Sequence, residues 1–178
     1  RVGPELVVGF TKRNAFRGGE LLSLNLGASY EFEPDHLFSK DNANYEISGD
    51  LSLTIPKLFL PKFLMPKRRL WQTTPSTVIT LSRETINRSN YFRRHILSSE
   101  LTYIFQPTKQ SVHKISPVIV EYDRLAHMTD KYLDKVLESP ILTASAKDYF
   151  ITKMRYNYRF TSPMSYRHPI YFSTTLTE

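Results

Sequence analysis

Glu46 and Asp50 stand four residues apart in the stretch YEISGDLSLTI, Tyr45–Ile55. On an extended chain that spacing puts both carboxylates on one side, where such a pair can exchange protons as general acid and base. Salt bridging with cations of the same face, such as Arg155, is the stronger expectation for them. The histidines, His36, His95, His113, His127 and His168, lack the short spacings by which metal ligands share a site. The serines lack a Gly-x-Ser-x-Gly elbow. The glycines of RNAFRGGE, Arg13–Glu20, lack the Lys-Ser/Thr of a phosphate loop and instead predict a tight turn, with Gly18 and Gly19 at positive φ. Cysteine is absent, which removes disulfides, thiolate zinc sites and cysteine nucleophiles. These residues predict no enzyme, no metal site and no cofactor.

The elements that carry these residues have a period of two. In ELLSLNLGASYEF, Glu20–Phe32, the side chains of Leu22, Leu24, Leu26, Ala28, Tyr30 and Phe32 fall on one side, and Ser23, Asn25, Gly27, Ser29 and Glu31 on the other. Further strands are predicted over Glu5–Thr11, Tyr45–Ile55, Ser76–Ile86, Arg93–Phe105, Ser111–Asp123 and Asp148–Phe160, with an eighth from Ile170. Pro117 makes the sixth irregular. The prolines of Pro56–Pro75 forbid a central strand there. One short loop helix is predicted over Met128–Ser139, where Tyr132, Leu133, Val136 and Leu137 recur at helical spacing and Thr129 or Asp130 can cap it. That helix face reads either as packing on its own loop or as a dock for an outer partner, and the basic–apolar PKRR region, Pro66–Arg69, either as a solvated turn packed under the barrel or as a contact with anionic headgroups at the membrane surface.

The chain has 178 residues, a net charge of +7 and 13% aromatic residues, nearly all Tyr and Phe. Its Lys and Arg are scattered over strands and loops, which argues against nucleic acid as a partner. No apolar run is long enough for a membrane-spanning helix. Strands of this length, joined by turns, make an antiparallel meander, and several exceed the usual globular length of about five or six residues. A tilted strand crosses a bilayer in about 9–11 residues. The apolar face ends repeatedly in aromatics, at Phe10, Tyr30 with Phe32, Tyr45, Tyr103 with Phe105, and Tyr158 with Phe160, which matches an interfacial girdle.

These features predict an all-β, antiparallel up-and-down transmembrane β-barrel. Leu22, Leu24, Leu26, Leu51, Leu53, Tyr156 and Tyr158 would face lipid. Glu46, Asp50, Glu100, Lys153, Arg155 and Arg159 would face a wet lumen. A soluble lipocalin-like barrel or sandwich with the apolar face inward remains the alternative, because alternation does not say which face is inside.

GPELVVGFTKRNAFRGGELLSLNLGASYEFE, Gly3–Glu33, resembles the early barrel of the BamA/TamA family of outer-membrane assembly factors, the bacterial surface-antigen family, in its Bacteroidetes-type form. The shared pattern is a Gly3-Pro4 strand opening, then Arg13, Asn14, Phe16, Arg17 and Gly18 in the turn, then an alternating Leu/Ser strand. NYEISGDLSLTIPKLFLP, Asn44–Pro61, and SRETINRSNYFRRHILSSELTYIF, Ser82–Phe105, resemble the following segments. The resemblance implies that the whole chain, 1–178, is the N-terminal half of a barrel of about sixteen strands, a piece of a longer protein preceded by periplasmic domains. It implies a bacterial outer-membrane location, with the Arg13–Gly18 turn periplasmic and the connections Glu33–Ala43, Asn87–Phe92 and Arg124–Lys147 facing outward. The implied partners are outer-membrane lipid, substrate outer-membrane proteins, and other assembly-complex or periplasmic proteins. The implied activity is insertion or translocation of other outer-membrane proteins; a passive pore or surface antigen is the alternative on the same architecture. One feature departs from the family: the Pro56–Pro75 connection is long for a periplasmic turn. The family's lumen-loop Arg-Gly-Phe signature is expected later in the chain than this stretch.

Overall fold

The computed structural model describes residues 3–31, 44–59, 74–88, 91–129, 133, 147–162 and 170–178. They form a single eight-stranded antiparallel sheet in strict sequence order. The strands are β1 Glu5–Arg13, β2 Leu21–Glu31, β3 Asn44–Ile55, β4 Ser76–Arg88, β5 Phe92–Phe105, β6 Ser111–Met128, β7 Tyr149–Thr161 and β8 Tyr171–Thr177. Each pairs antiparallel with the next. β1 and β8 are not paired with each other, so the sheet is open.

Register decides what the alternation means. Leu22, Leu24 and Ala28 lie opposite Leu53, Leu51 and Ile47. Leu51 and Leu53 lie opposite Leu81 and Ile79, and Ile79 lies opposite Leu101. Because paired residues point to the same side, one apolar face runs unbroken from Leu6, Val8 and Phe10 on β1 to Phe172 and Leu176 on β8. That face is exposed: Leu6, Val8, Leu26, Ile47, Leu51, Leu97, Val118 and Leu176 each show at least 41% of their surface. Among the described residues Ile119, at 5%, is the one buried hydrophobic. A soluble two-layer domain would cover the apolar face and leave the polar one wet.

β6 differs from its expected extent. It runs to Met128, beyond Asp123, and it is bulged. Its register slips between Ser116 and Ile119 against β7, and between Leu101 and Tyr103 against β5. Pro117 lies in the slipped segment; it has no N–H to give the ladder, and a bulge removes that requirement. Of the helix expected over Met128–Ser139, only Met128, Thr129 and Leu133 are described. Met128 closes β6, and the Leu133 N–H donates to the Thr129 carbonyl at 3.0 Å, a helical step. The rest of that helix and the PKRR region lie outside the described residues.

The start of the long β3–β4 connection is tied down by Thr77, which is 0% exposed. Its hydroxyl donates to the Lys57 carbonyl at 2.7 Å and accepts from the Phe59 N–H at 3.1 Å. Thr77→Val keeps the volume and strands both backbone groups, so we expect a loss of about 1–3 kcal/mol. A chemical-denaturation midpoint that does not move would rule out this anchoring role.

Candidate functional site

The β1–β2 turn is built around two side-chain acceptors. Asn14 Oδ1 accepts from the Gly19 N–H at 3.0 Å. Glu20 Oε2 accepts from Gly18 at 2.9 Å and from Phe16 at 3.3 Å. Asn14, Arg17 and Gly19 take φ of 56°, 66° and 85°. Gly19 is therefore a positive-φ glycine as expected, whereas Gly18 is not. A Cβ on Gly18 would meet the Glu20 carboxylate, which would have to shift from its bond to the Gly18 N–H. The left-handed positions fall on Asn14, which tolerates them, and on Arg17. Phe16 stands 68% exposed at the tip, beside exposed Arg17.

Glu20 is held below the ordinary carboxylate value of 4.5, first by its own backbone N–H and that of Gly18, then by that of Phe16. A depressed folded value means this carboxylate contributes its order in full above 4.5 and loses it as pH falls through the lowered value. We expect hydrogen exchange at the Gly18 amide, compared with a reference amide in the same sample, to lose protection only below that range. In Glu20→Ala the protection should be missing at every pH.

On the polar face, Glu46, Asp50, Glu100, Lys153, Arg155 and Arg159 all point the same way, by register across β3 to β7. Arg155 does not meet Glu46 or Asp50. It lies 3.8 Å from Glu100, because β5 and β7 flank β6 whereas β3 is four strands from β7. Glu100 also accepts from Ser116 Oγ at 2.7 Å and Thr102 Oγ1 at 3.0 Å, and those two hydroxyls are 2.9 Å apart. Ser116 is 3% exposed and sits at the β6 bulge. The bulge thus delivers the hydroxyl that completes the cluster. Lys153–Glu121 at 2.8 Å, Arg94–Asp123 at 3.3 Å and Arg88–Glu31 at 2.9 Å add further pairs on this face. A depression of about 570 Å³ opens beside Glu100, lined on β6 and β7 by Lys114, Arg155, Asn157 and Arg159.

Scans against protein-family models, curated proteins and solved structures return no match.

The apolar face carries the aromatics at both ends. At the end with the β2–β3 and β6–β7 connections, Tyr30 lies opposite Tyr45 and Tyr122 opposite Phe150. At the other end Phe105 stacks on His113 at 4.9 Å, His113 meets Tyr158 at 4.9 Å, and Tyr158 meets Phe172 at 6.3 Å. Tyr156 Oη and His113 Nδ1 are 2.8 Å apart, and Tyr103 Oη donates to the Phe59 carbonyl at 3.0 Å. The rings of Tyr156 and Tyr103 lie on the apolar face while their hydroxyls are bonded. His113 is thereby a member of the aromatic cluster. Nothing in its sequence spacing marked it; its partners come from β5 and β7. The described residues hold no group of three or more metal-ligating side chains.

Leu22, Leu24, Leu26, Leu51, Leu53, Tyr156 and Tyr158 share the apolar face, as the register requires. The two surfaces have opposite chemistry. One carries paired charges and hydroxyls around a depression. The other is a broad exposed hydrocarbon surface with aromatic ends.

Proposed function

We propose that this chain is a stretch of outer-membrane β-barrel, with the Leu- and Tyr-bearing face against lipid and the charged face lining water, and that the barrel assists the insertion of other outer-membrane proteins. The observation that carries the membrane part is the unbroken, exposed apolar face that register assembles across all eight strands. Soluble monomers rarely expose contiguous apolar patches beyond a few hundred Å². The dimensions agree: from Tyr45 to Ile55 the apolar side of β3 runs about 34 Å at ~3.4 Å per residue, which a tilt of ~45° reduces to about 24 Å, close to the height of an outer-membrane apolar band. Lipid leaves no backbone group unsatisfied, so the free edges of β1 and β8 must pair, with each other or with further strands.

The insertion part rests on the resemblance of Gly3–Glu33, Asn44–Pro61 and Ser82–Phe105 to the BamA/TamA family. Its physical basis is that a weakly paired strand edge is a template on which an incoming strand can add. A passive pore is the second reading, favoured by the cation-rich depression of Lys114, Arg155 and Arg159 on the polar face.

The test is reconstitution of the full-length protein into lipid vesicles. Unheated protein should migrate differently from heated protein on a gel, and the vesicles should speed the folding of a second outer-membrane barrel added in urea. Steady ion conductance without such acceleration would select the pore. A protein that stays monomeric in detergent-free water would overturn both.

A further inference from the structure

We infer that the apolar face carries, across β4 to β6 near the β4–β5 turn, a binding site for the phosphate of an anionic lipid headgroup. The inference rests on the membrane reading and adds a ligand to it.

The apolar face changes character at one level. On β4, Leu81 is followed by Arg83, Thr85 and Asn87; on β5, Leu97 is preceded by His95 and Arg93; on β6, Tyr122 is followed by Arg124. Register places all of these on the side of Leu51. Arg83 is directly opposite Leu97, His95 opposite Arg124, and Arg93 opposite His127. Directly opposed side chains start about 5 Å apart, so Arg93, His95, Arg124 and His127 form one patch, with Arg83 diagonal to His95.

Among the described residues the patch lacks acids. The carboxylates of these strands, Glu84, Glu100, Glu121 and Asp123, point to the other face. The contrast with neighbouring arginines is informative. Arg88 and Arg94, on the polar face, have Glu31 and Asp123 at 2.9 and 3.3 Å. Arg83, Arg93 and Arg124, on the apolar face, form no ion pair with another described residue, and all three are exposed. Part of the patch is already oriented: Arg93 Nε donates to Asn87 Oδ1 at 3.1 Å, and Thr85 Oγ1 and His95 Nδ1 are 3.0 Å apart.

Exposed guanidiniums bordering a hydrocarbon-facing surface need anionic partners at the interface. Phosphate suits them because it accepts paired N–H bonds in the fork geometry of arginine. A lipid fits better than free phosphate, since acyl chains laid on Leu81, Leu97 and Val118 would bring the headgroup to the arginines. Several cations spread over adjacent strands favour a phosphate monoester, which carries more charge than a diester.

The test uses the full-length protein in detergent, with lipid retention read by native mass spectrometry. The probes are lipid A, phosphatidylglycerol, phosphatidylcholine and inorganic phosphate. Lipid A should be retained best and phosphatidylcholine least, with inorganic phosphate competing poorly. R83Q/R93Q/R124Q should lower lipid A retention about tenfold or more, given the strength of charged hydrogen bonds. Lys109→Gln, a charge loss in the β5–β6 turn at the other end of the sheet, should not. If the triple variant does not fold, single variants that keep the heat-dependent gel shift are read instead, each with a smaller loss in the same direction. Folded variants that hold lipid A as well as the parent, or inorganic phosphate that displaces it fully, would overturn the site while leaving the membrane reading intact. A parent protein that is a detergent-free monomer would overturn the membrane reading itself.

Discussion

Leu51→Arg should strongly lower the urea midpoint of the lipid-folded protein, whereas Ser52→Arg, one residue along, should be tolerated. Leu51 lies midway along β3, opposite Leu24 and Leu81 on the apolar face, and is 41% exposed. Ser52 points to the polar face, opposite Ser23 and Thr80. At the middle of a bilayer, arginine on the lipid face of a barrel costs about 2–4 kcal/mol, or about 30- to 1,000-fold in the folded population. On a surface facing water the same change falls within about 0.5 kcal/mol of neutral. Urea titration of vesicle-folded protein measures the difference. Equal midpoints for the two variants would place the Leu-bearing face in water and defeat the membrane reading.

Glu100→Leu should be the most damaging single change on the polar face. It leaves the Ser116 and Thr102 hydroxyls without their charged acceptor, and Arg155 without its carboxylate. Hydrogen bonds to charged groups contribute about 1.5–3 kcal/mol each. The buried Ser116 keeps that figure relevant here, although Arg155 is partly exposed and adds little. We expect a loss of about 2–3 kcal/mol. Glu121→Leu removes a shorter ion pair, with Lys153, yet should cost only about 0–1 kcal/mol, because both partners are about a third exposed. Adding Ser116→Ala to Glu100→Leu should then cost less than Ser116→Ala alone, since its acceptor is already gone. Matching losses for Glu100→Leu and Glu121→Leu would mean that the hydroxyl cluster contributes nothing.

Sequence reading came close on the strands. β2 was expected over Glu20–Phe32 and spans Leu21–Glu31; β7 was expected over Asp148–Phe160 and spans Tyr149–Thr161. Pro117 marked an irregularity, and the register slips there. The turn motif was legible as a turn, but the division of labour between Gly18 and Gly19 was not. Gly18 depends on where the Glu20 carboxylate folds back, which its residue type does not specify.

What the sequence determined by itself was the strands and the chemistry of their two sides, because the pleat repeats every two residues and each segment reports its own alternation. The tertiary structure decided which side chains meet. Arg155 finds Glu100 rather than Glu46 or Asp50, His113 enters an aromatic cluster, and Arg83, Arg93 and Arg124 share one end of the apolar face with no acid among the described residues beside them. Those outcomes depend on the alignment of neighbouring strands. A bulge such as the one at Pro117 slips that alignment, and alternation within a single strand carries no record of its neighbour's register.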